Sequence, residues 1–177
     1  LRSRYDCILS TSKTINNDNP LLDCRIEGLE QKSPAIIIID RLFKIKKKLR
    51  MFNNKSREIF IFVQTNNKIK EEYFKKIGVN IIKLKKFDNL KNDVSEVYLI
   101  LKQLGFNRIL IESGIQYINS TLKYNLIKNF YLFKSSFSLK KNGKNNTKLG
   151  LIKKLKETIN NRVNVNLNGD ILYKIQL

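Results

Sequence analysis

The sequence predicts an α/β fold with a largely parallel central sheet, helices on both of its faces and an antiparallel hairpin at its C-terminal end. Three observations carry this. Residues 35–40 (AIIIID) and 58–65 (EIFIFVQT) are near-continuous apolar runs rich in β-branched and aromatic residues, the mark of strands buried on both faces. Segments of helical period separate such runs, giving repeated strand–helix–strand units. The tail RVNVNLNGDILYKIQL alternates apolar and polar residues about Asn168-Gly169, the turn pair that most favours a tight hairpin.

In chain order, CILS at 7–10 reads as a strand, and the Asn-, Asp- and Pro-containing stretch TINNDNP at 14–20 as the turn that follows it. Strands at 35–40 and 58–65 come next. KIKEEYFKKIG at 68–78 fits a helix that Gly78 stops, and VNIIKLKK at 79–86 alternates like a strand. Residues 88–105 set Val94, Val97, Leu101 and Leu104 on one helical face, with Gly105 closing the helix. FNRILIESG at 106–114 is a strand running into a glycine, IQYINSTLKYNL at 115–126 a helix and NFYLFKSS at 129–136 a strand. Residues 140–150 read as a polar loop and LIKKLKETI as a short helix. With no repeat and no dividing linker, 177 residues are expected to form one domain.

Composition narrows the function classes. The chain is 42% hydrophobic with a mean hydropathy of −0.33, values of a globular protein, and no apolar run approaches a membrane span of ~20 residues. The opening LRSRYDCILS does not read as a signal peptide. There is no His, which excludes His-based triads, His general bases and Cys/His zinc sites. Cys7 and Cys24, seventeen apart, read as free thiols of a reducing, cytoplasmic compartment. A net charge of +20 invites a nucleic-acid reading. The Lys and Arg residues are nonetheless spread from end to end, alongside abundant Asn and Ile, and no aromatic RNA-binding motif or GxxG clamp accompanies them. The charge is therefore read as compositional, with attraction for small phosphorylated anions.

Ligands of open α/β sheets bind beyond the carboxyl ends of the strands, and two strand ends carry polar residues of interest. At 109–120, ILIESGIQYINS, Glu112 closes a strand, Ser113-Gly114 makes the turn and a helix opens with unpaired N–H groups and a positive dipole end. Gly114 is expected to let a ligand approach closely. A carboxylate ending a buried strand needs a polar partner, and Glu112 reads equally well as a helix cap or a salt-bridge member. At the first strand end, Asp18 can be a plain turn-former and Arg25 a surface cation.

Together these two segments resemble the reductase domain of the bacterial bifunctional riboflavin-biosynthesis deaminase/reductase, which has a dihydrofolate-reductase-like fold. The family pattern I-L-x-x-x-x-T-V-x-x-D-D-P-x-L-x-x-R corresponds to ILSTSKTINNDNPLLDCR at 8–25, which keeps Thr14, Asp18, Pro20, Leu22 and Arg25. V-E-G-G-x-x-L-x-x-x-L-L corresponds to IESGIQYINSTL at 111–122, which keeps Glu112 and Gly114. AIIIIDRLFKI and NLIKNFYLF match further family segments. The resemblance implies NADPH-dependent reduction of 5-amino-6-(5-phosphoribosylamino)uracil to its ribitylamino counterpart, with hydride delivered to C1′, by a cytoplasmic homodimer. It implies cofactor contacts at Thr14, Asp18 and Arg41 (a position usually Ser) and through Gly114, Ile115, Gln116, Tyr117, Ile118, Asn119 and Ser120. It implies substrate contacts at Arg2, Leu22, Arg25 and Glu112, with the two arginines on the phosphate. The family's domain starts with a K-x-A-x-S-x-D-G strand and an S-x-W loop that this sequence lacks, as it lacks the zinc deaminase half, so the domain is expected to be truncated at its N-terminus. Ser113 replaces the family's second glycine. The alternatives are a catalytically incomplete reductase-like fragment and a basic module binding RNA or other polyanions on the same scaffold.

Overall fold

The computed structural model describes residues 1–54, 56–85, 90–137 and 162–177, and the chain falls into two compact units, Leu1–Gly114 and Ile115–Leu177. The expected loop at 140–150 and the helix LIKKLKETI lie outside the described residues.

The first unit is built on five parallel strands: β1 (Cys7–Thr11), β2 (Ala35–Ile39), β3 (Ile59–Val63), β4 (Asn80–Lys83) and β5 (Ile109–Ile111), in the order β4-β3-β2-β1-β5. Every residue of β2 and β3 is buried, as the apolar runs predict. The register pairs Ile8 with Ile36 and Ile36 with Ile59, so side chains of one parity share a face. On that face Ile8, Ile36, Ile38, Ile59, Ile61 and Val63 form one core with Ile15, Phe43, Ile45, Met51, Phe52 and Phe74. Phe74 comes from α2 (Lys68–Lys76) and meets the rings of Phe43, Phe52 and Tyr73. On the opposite face Phe60 meets Phe106, just beyond α3 (Leu90–Gln103), whose Val94, Val97 and Leu101 are buried. Helices thus cover both faces. Asp6 ties β1 to β5 at their entry ends: its carboxylate accepts the N–H groups of Asn107 and Arg108 at 2.9 and 2.8 Å and is forked by the Arg108 guanidinium.

One element departs from expectation. Residues 12–18 form a helix, α1 (Ser12–Asp18), where the sequence reads as a turn. Thr11 caps it by accepting the Thr14 N–H, and Ile15 is fully buried in the core. Tertiary burial overrides the weak helix propensity of Asn and Asp. The turn expected at Asn19-Pro20 is the helix's end: Asn19 takes the left-handed conformation (φ 43°), and Pro20 cannot continue the helix.

The second unit holds α4 (Ile115–Lys123) and a three-stranded antiparallel sheet of β6 (Asn129–Lys134), β7 (Arg162–Val163) and β8 (Ile171–Gln176), in the order β6-β8-β7. The hairpin of β7 and β8 turns at Asn168-Gly169 as expected. Both residues have positive φ (51° and 96°), and the Asp170 N–H closes the turn on the Leu167 carbonyl at 3.1 Å. Among the described residues, no helix is long and apolar enough to cross a membrane.

Candidate functional site

The strand order locates a candidate site without reference to any side chain. From β1 the chain steps through β2 and β3 to β4, then returns to the other side of β1 as β5. The connections leaving β1 and β5 therefore run apart, which makes the carboxyl ends of this pair the topological switch point where open α/β sheets bind ligands. Both strand ends singled out in the sequence lie there.

At the switch point, the segment after β5 is joined to α1. The Gly114 N–H donates to Thr14 Oγ1 at 3.1 Å, Thr14 Oγ1 lies 3.1 Å from Thr11 Oγ1, and the Ser113 hydroxyl donates to Thr11 Oγ1 at 3.4 Å. A Cβ on residue 114 would meet Thr14 Oγ1 at 3.4 Å. The close approach that Gly114 allows is thus made by the Thr14 side chain, and this N–H is already partnered. The result is a row of three hydroxyls and a peptide N–H at the ends of β1 and β5.

A charged cluster lies beside it. Arg2 forks Glu112, its Nε and Nη2 donating to Oε1 and Oε2 at 2.8 Å each, and its Nη1 donates to the Asp23 carbonyl at 2.7 Å. The bond to Glu112 raises the Arg2 pKa above its ordinary value despite opposition from burial, with the charges of Glu112 and Asp23 adding to the rise. Glu112 is therefore the salt-bridge member the sequence allowed, and the pair spans 110 positions of sequence. Arg25 is nearby in sequence but differently placed. Its side chain is 74% exposed and, among the described residues, meets the Asp23 carboxylate alone, at 3.5 Å.

Each of the other predicted residues has its own local setting. Leu22 is buried in the core with a left-handed backbone (φ 55°), so its side chain packs against the protein. Asp18 is exposed at the end of α1. Arg41 follows β2, and its guanidinium pairs with Asp93 of α3 at 3.4 Å. Ile115, Gln116, Tyr117, Ile118, Asn119 and Ser120 form the first six positions of α4, where the Ser120 hydroxyl donates to the Gln116 carbonyl at 3.1 Å.

Sequence reasoning missed two residues. Asp40, at the end of β2, is buried and accepts the Ser12 hydroxyl and the Lys44 N–H at 2.8 Å each, with the Ile45 N–H at 2.6 Å, so it anchors the start of α1 to the loop after β2. Its buried-strand position was the available signal. Arg57 donates from Nη1 to the Leu22 carbonyl at 2.8 Å and from Nη2 to that of Leu21. Nothing distinguished it among 35 basic residues.

Comparisons with known proteins identify the family and agree with the fold. The RibD C-terminal domain family matches residues 1–164, and the chain belongs to that family. A curated relative, riboflavin biosynthesis protein RibD of Buchnera aphidicola subsp. Baizongia pistaciae, is 28% identical over 146 residues, covering 75% of this chain and 38% of the relative. Among solved structures, Acinetobacter baumannii RibD aligns with a TM-score of 0.70 at 14% identity, over 99% of this chain and 48% of that one. A pyrimidine reductase-like protein of Corynebacterium diphtheriae aligns with a TM-score of 0.69 at 14% identity, over 99% of this chain and 77% of that one. A Thermotoga maritima diaminohydroxyphosphoribosylaminopyrimidine deaminase/5-amino-6-(5-phosphoribosylamino)uracil reductase aligns with a TM-score of 0.65 at 16% identity, over 99% of this chain and 46% of that one. These structures share the fold. The chain spans 38% of the curated relative's length and under half of the Acinetobacter and Thermotoga chains.

Proposed function

We propose that this chain is an NADPH-dependent reductase of riboflavin biosynthesis that converts 5-amino-6-(5-phosphoribosylamino)uracil to 5-amino-6-(5-phosphoribitylamino)uracil, working in the cytoplasm as a homodimer. Family membership supports the reaction class, and the coincidence of Thr14, Gly114, Arg2 and Glu112 at the β1–β5 switch point carries the assignment of the site. The hydroxyls of Thr11, Thr14 and Ser113 are neutral donors and acceptors suited to a nicotinamide nucleotide. Thr14, Asp18 and Gly114 would hold it, with Arg41 beyond β2. Bound there, NADPH supplies the hydride.

The chain's own residues bind and orient. Arg25, exposed and free of a carboxylate fork, takes the substrate phosphate. Glu112 accepts a hydrogen bond from the substrate while Arg2 fixes its rotamer, and the backbone turn at Leu22 places Arg25. Hydride addition at C1′ is matched by opening of the C1′–O4′ bond, with the ring oxygen taking up one proton, so each turnover consumes one proton and oxidises one NADPH. Positioning of the two reactants supplies most of the protein's catalytic contribution.

The test is substrate-dependent oxidation of NADPH by the purified chain, with the ribitylamino product identified by mass spectrometry. Product that is lost in Glu112→Gln and Arg25→Ala supports the reading. NADPH oxidation without that product, or no oxidation by a folded chain that binds NADPH, overturns it.

A further inference from the structure

We infer that Arg57 is a positioning residue for the segment of residues 20–25, which it holds through main-chain carbonyls so that Asp23 and Arg25 are kept beside Arg2. Arg57 lies just before β3 and is remote in sequence from that segment. Its guanidinium nevertheless donates to two successive carbonyls, those of Leu22 at 2.8 Å and Leu21. Arg2 takes the next one, Asp23, at 2.7 Å. Three consecutive carbonyls are thus gripped by two guanidiniums, with Leu22 between them in a left-handed backbone (φ 55°) that a leucine adopts only under outside constraint. The Leu22 side chain, 4% exposed, pins the turn from the core, and the Cys24 N–H is held by the Ser33 hydroxyl at 2.9 Å.

Charge separates this arrangement from an ordinary structural arginine. Among the described residues Arg57 makes no ion pair with a carboxylate, and its Nε has no acceptor. Burial lowers its pKa from the usual arginine value; the Asp23 charge opposes that shift and the Arg2 charge adds to it. A buried cation beside another cation is costly unless its N–H groups are used, and here they are spent on the peptide groups of one loop. Lysine offers a point charge and cannot grip two neighbouring carbonyls with a planar fork. The segment so held carries Asp23 and Arg25, so Arg57 acts on ligand binding through them and touches no ligand itself.

Cysteine chemistry gives a readout that is independent of catalysis. Cys24 is buried within the gripped segment (5% exposed), and Cys7 is fully buried in β1, where burial pushes its thiol up to about 12. Labelling by a small disulfide reagent in native buffer, with each site resolved by mass spectrometry, therefore reports loop release at Cys24 and global opening at Cys7. Arg57→Met keeps the alkyl stem and removes the fork. It is expected to speed Cys24 labelling about tenfold or more, the equivalent of losing one charged hydrogen bond, with Cys7 still protected. Arg57→Lys is expected to fall between wild type and Arg57→Met at Cys24, and it carries the test if Arg57→Met does not fold. Equal acceleration at both cysteines, or a wild-type Cys24 rate in Arg57→Lys, overturns the inference.

The catalytic arm rests on the proposed reductase reading. There, both variants should raise KM for the phosphorylated substrate while KM for NADPH stays at its wild-type value. A wild-type chain with no turnover would sink that reading and leave the labelling result to decide Arg57 alone. An active enzyme in which both KM values rise together would overturn the positioning role.

Discussion

Replacing Glu112 by glutamine tests the ionic contact that joins the N-terminal segment to the end of β5. The native fork consists of two bonds of 2.8 Å between ionised groups, with side chains 23% and 31% exposed. Fully buried, each charge-assisted bond would contribute roughly 1.5–3 kcal/mol. Partial exposure discounts that sum, because solvent competes for both groups. Glutamine also keeps one acceptor oxygen while turning an NH2 group toward the guanidinium, which leaves one Arg2 donor facing another donor. The expected loss is about 2 kcal/mol, or about 4–8 °C in Tm for a chain of this size. Arg2→Ala removes the fork together with the bond to the Asp23 carbonyl, so the single variants are not equivalent. A double-mutant cycle in urea isolates the fork, with an expected coupling of about 1–2 kcal/mol. Coupling below about 0.3 kcal/mol, within the additivity of independent sites, would refute the claim that this pair stabilises the switch point.

Three further outcomes follow from the same geometry. Thr14→Val keeps the side-chain shape but removes the acceptor of the Gly114 N–H, and should weaken NADPH about tenfold while costing about 1 kcal/mol of stability, checked by calorimetry and urea unfolding. Arg25→Ala should leave stability within about 0.5 kcal/mol, since its side chain is 74% exposed, yet raise KM for the phosphorylated substrate about tenfold or more in steady-state assays. Asp6 titrates below its ordinary 3.8: burial pushes its carboxyl up, but bonds from the Arg108 backbone and side chain and the Asn107 backbone outweigh it. Its contribution is therefore present above the unfolded pKa and lost as pH falls through the lower folded value. Asp6→Asn should cost about 1 kcal/mol near neutrality, and the gap to wild type should close in urea melts below about pH 4.

What the sequence reveals depends on how local the cause is. The runs at 35–40 and 58–65 announce themselves because a strand buried on both faces leaves no position for a polar residue. The Asn168-Gly169 turn is legible because both positions need positive φ, which this pair tolerates. The α1 helix is not, since Asn16, Asn17 and Asp18 favour turns, and the helix forms through the Thr11 cap and the burial of Ile15 against strands distant in sequence. Arg2 and Glu112 could each be picked out by resemblance, but their mutual pairing is a product of β5 lying beside β1. Leu22 is the reverse case. Its position in the motif implies a ligand contact, and the burial of its side chain in the core and its left-handed backbone are features that the motif does not reveal.

The central claim, a nicotinamide nucleotide site at the β1–β5 switch point, is tested most directly by calorimetric titration of NADPH into this chain, alongside NADH and at raised salt. The account predicts saturable one-site binding that is tighter for NADPH than for NADH, persists in salt, weakens in Thr14→Val and is unchanged in Arg25→Ala. Absence of saturable binding would contradict it. So would binding that is indifferent to Thr14→Val and falls with salt in proportion to the phosphates contacted, since that is the behaviour of a general polyanion surface.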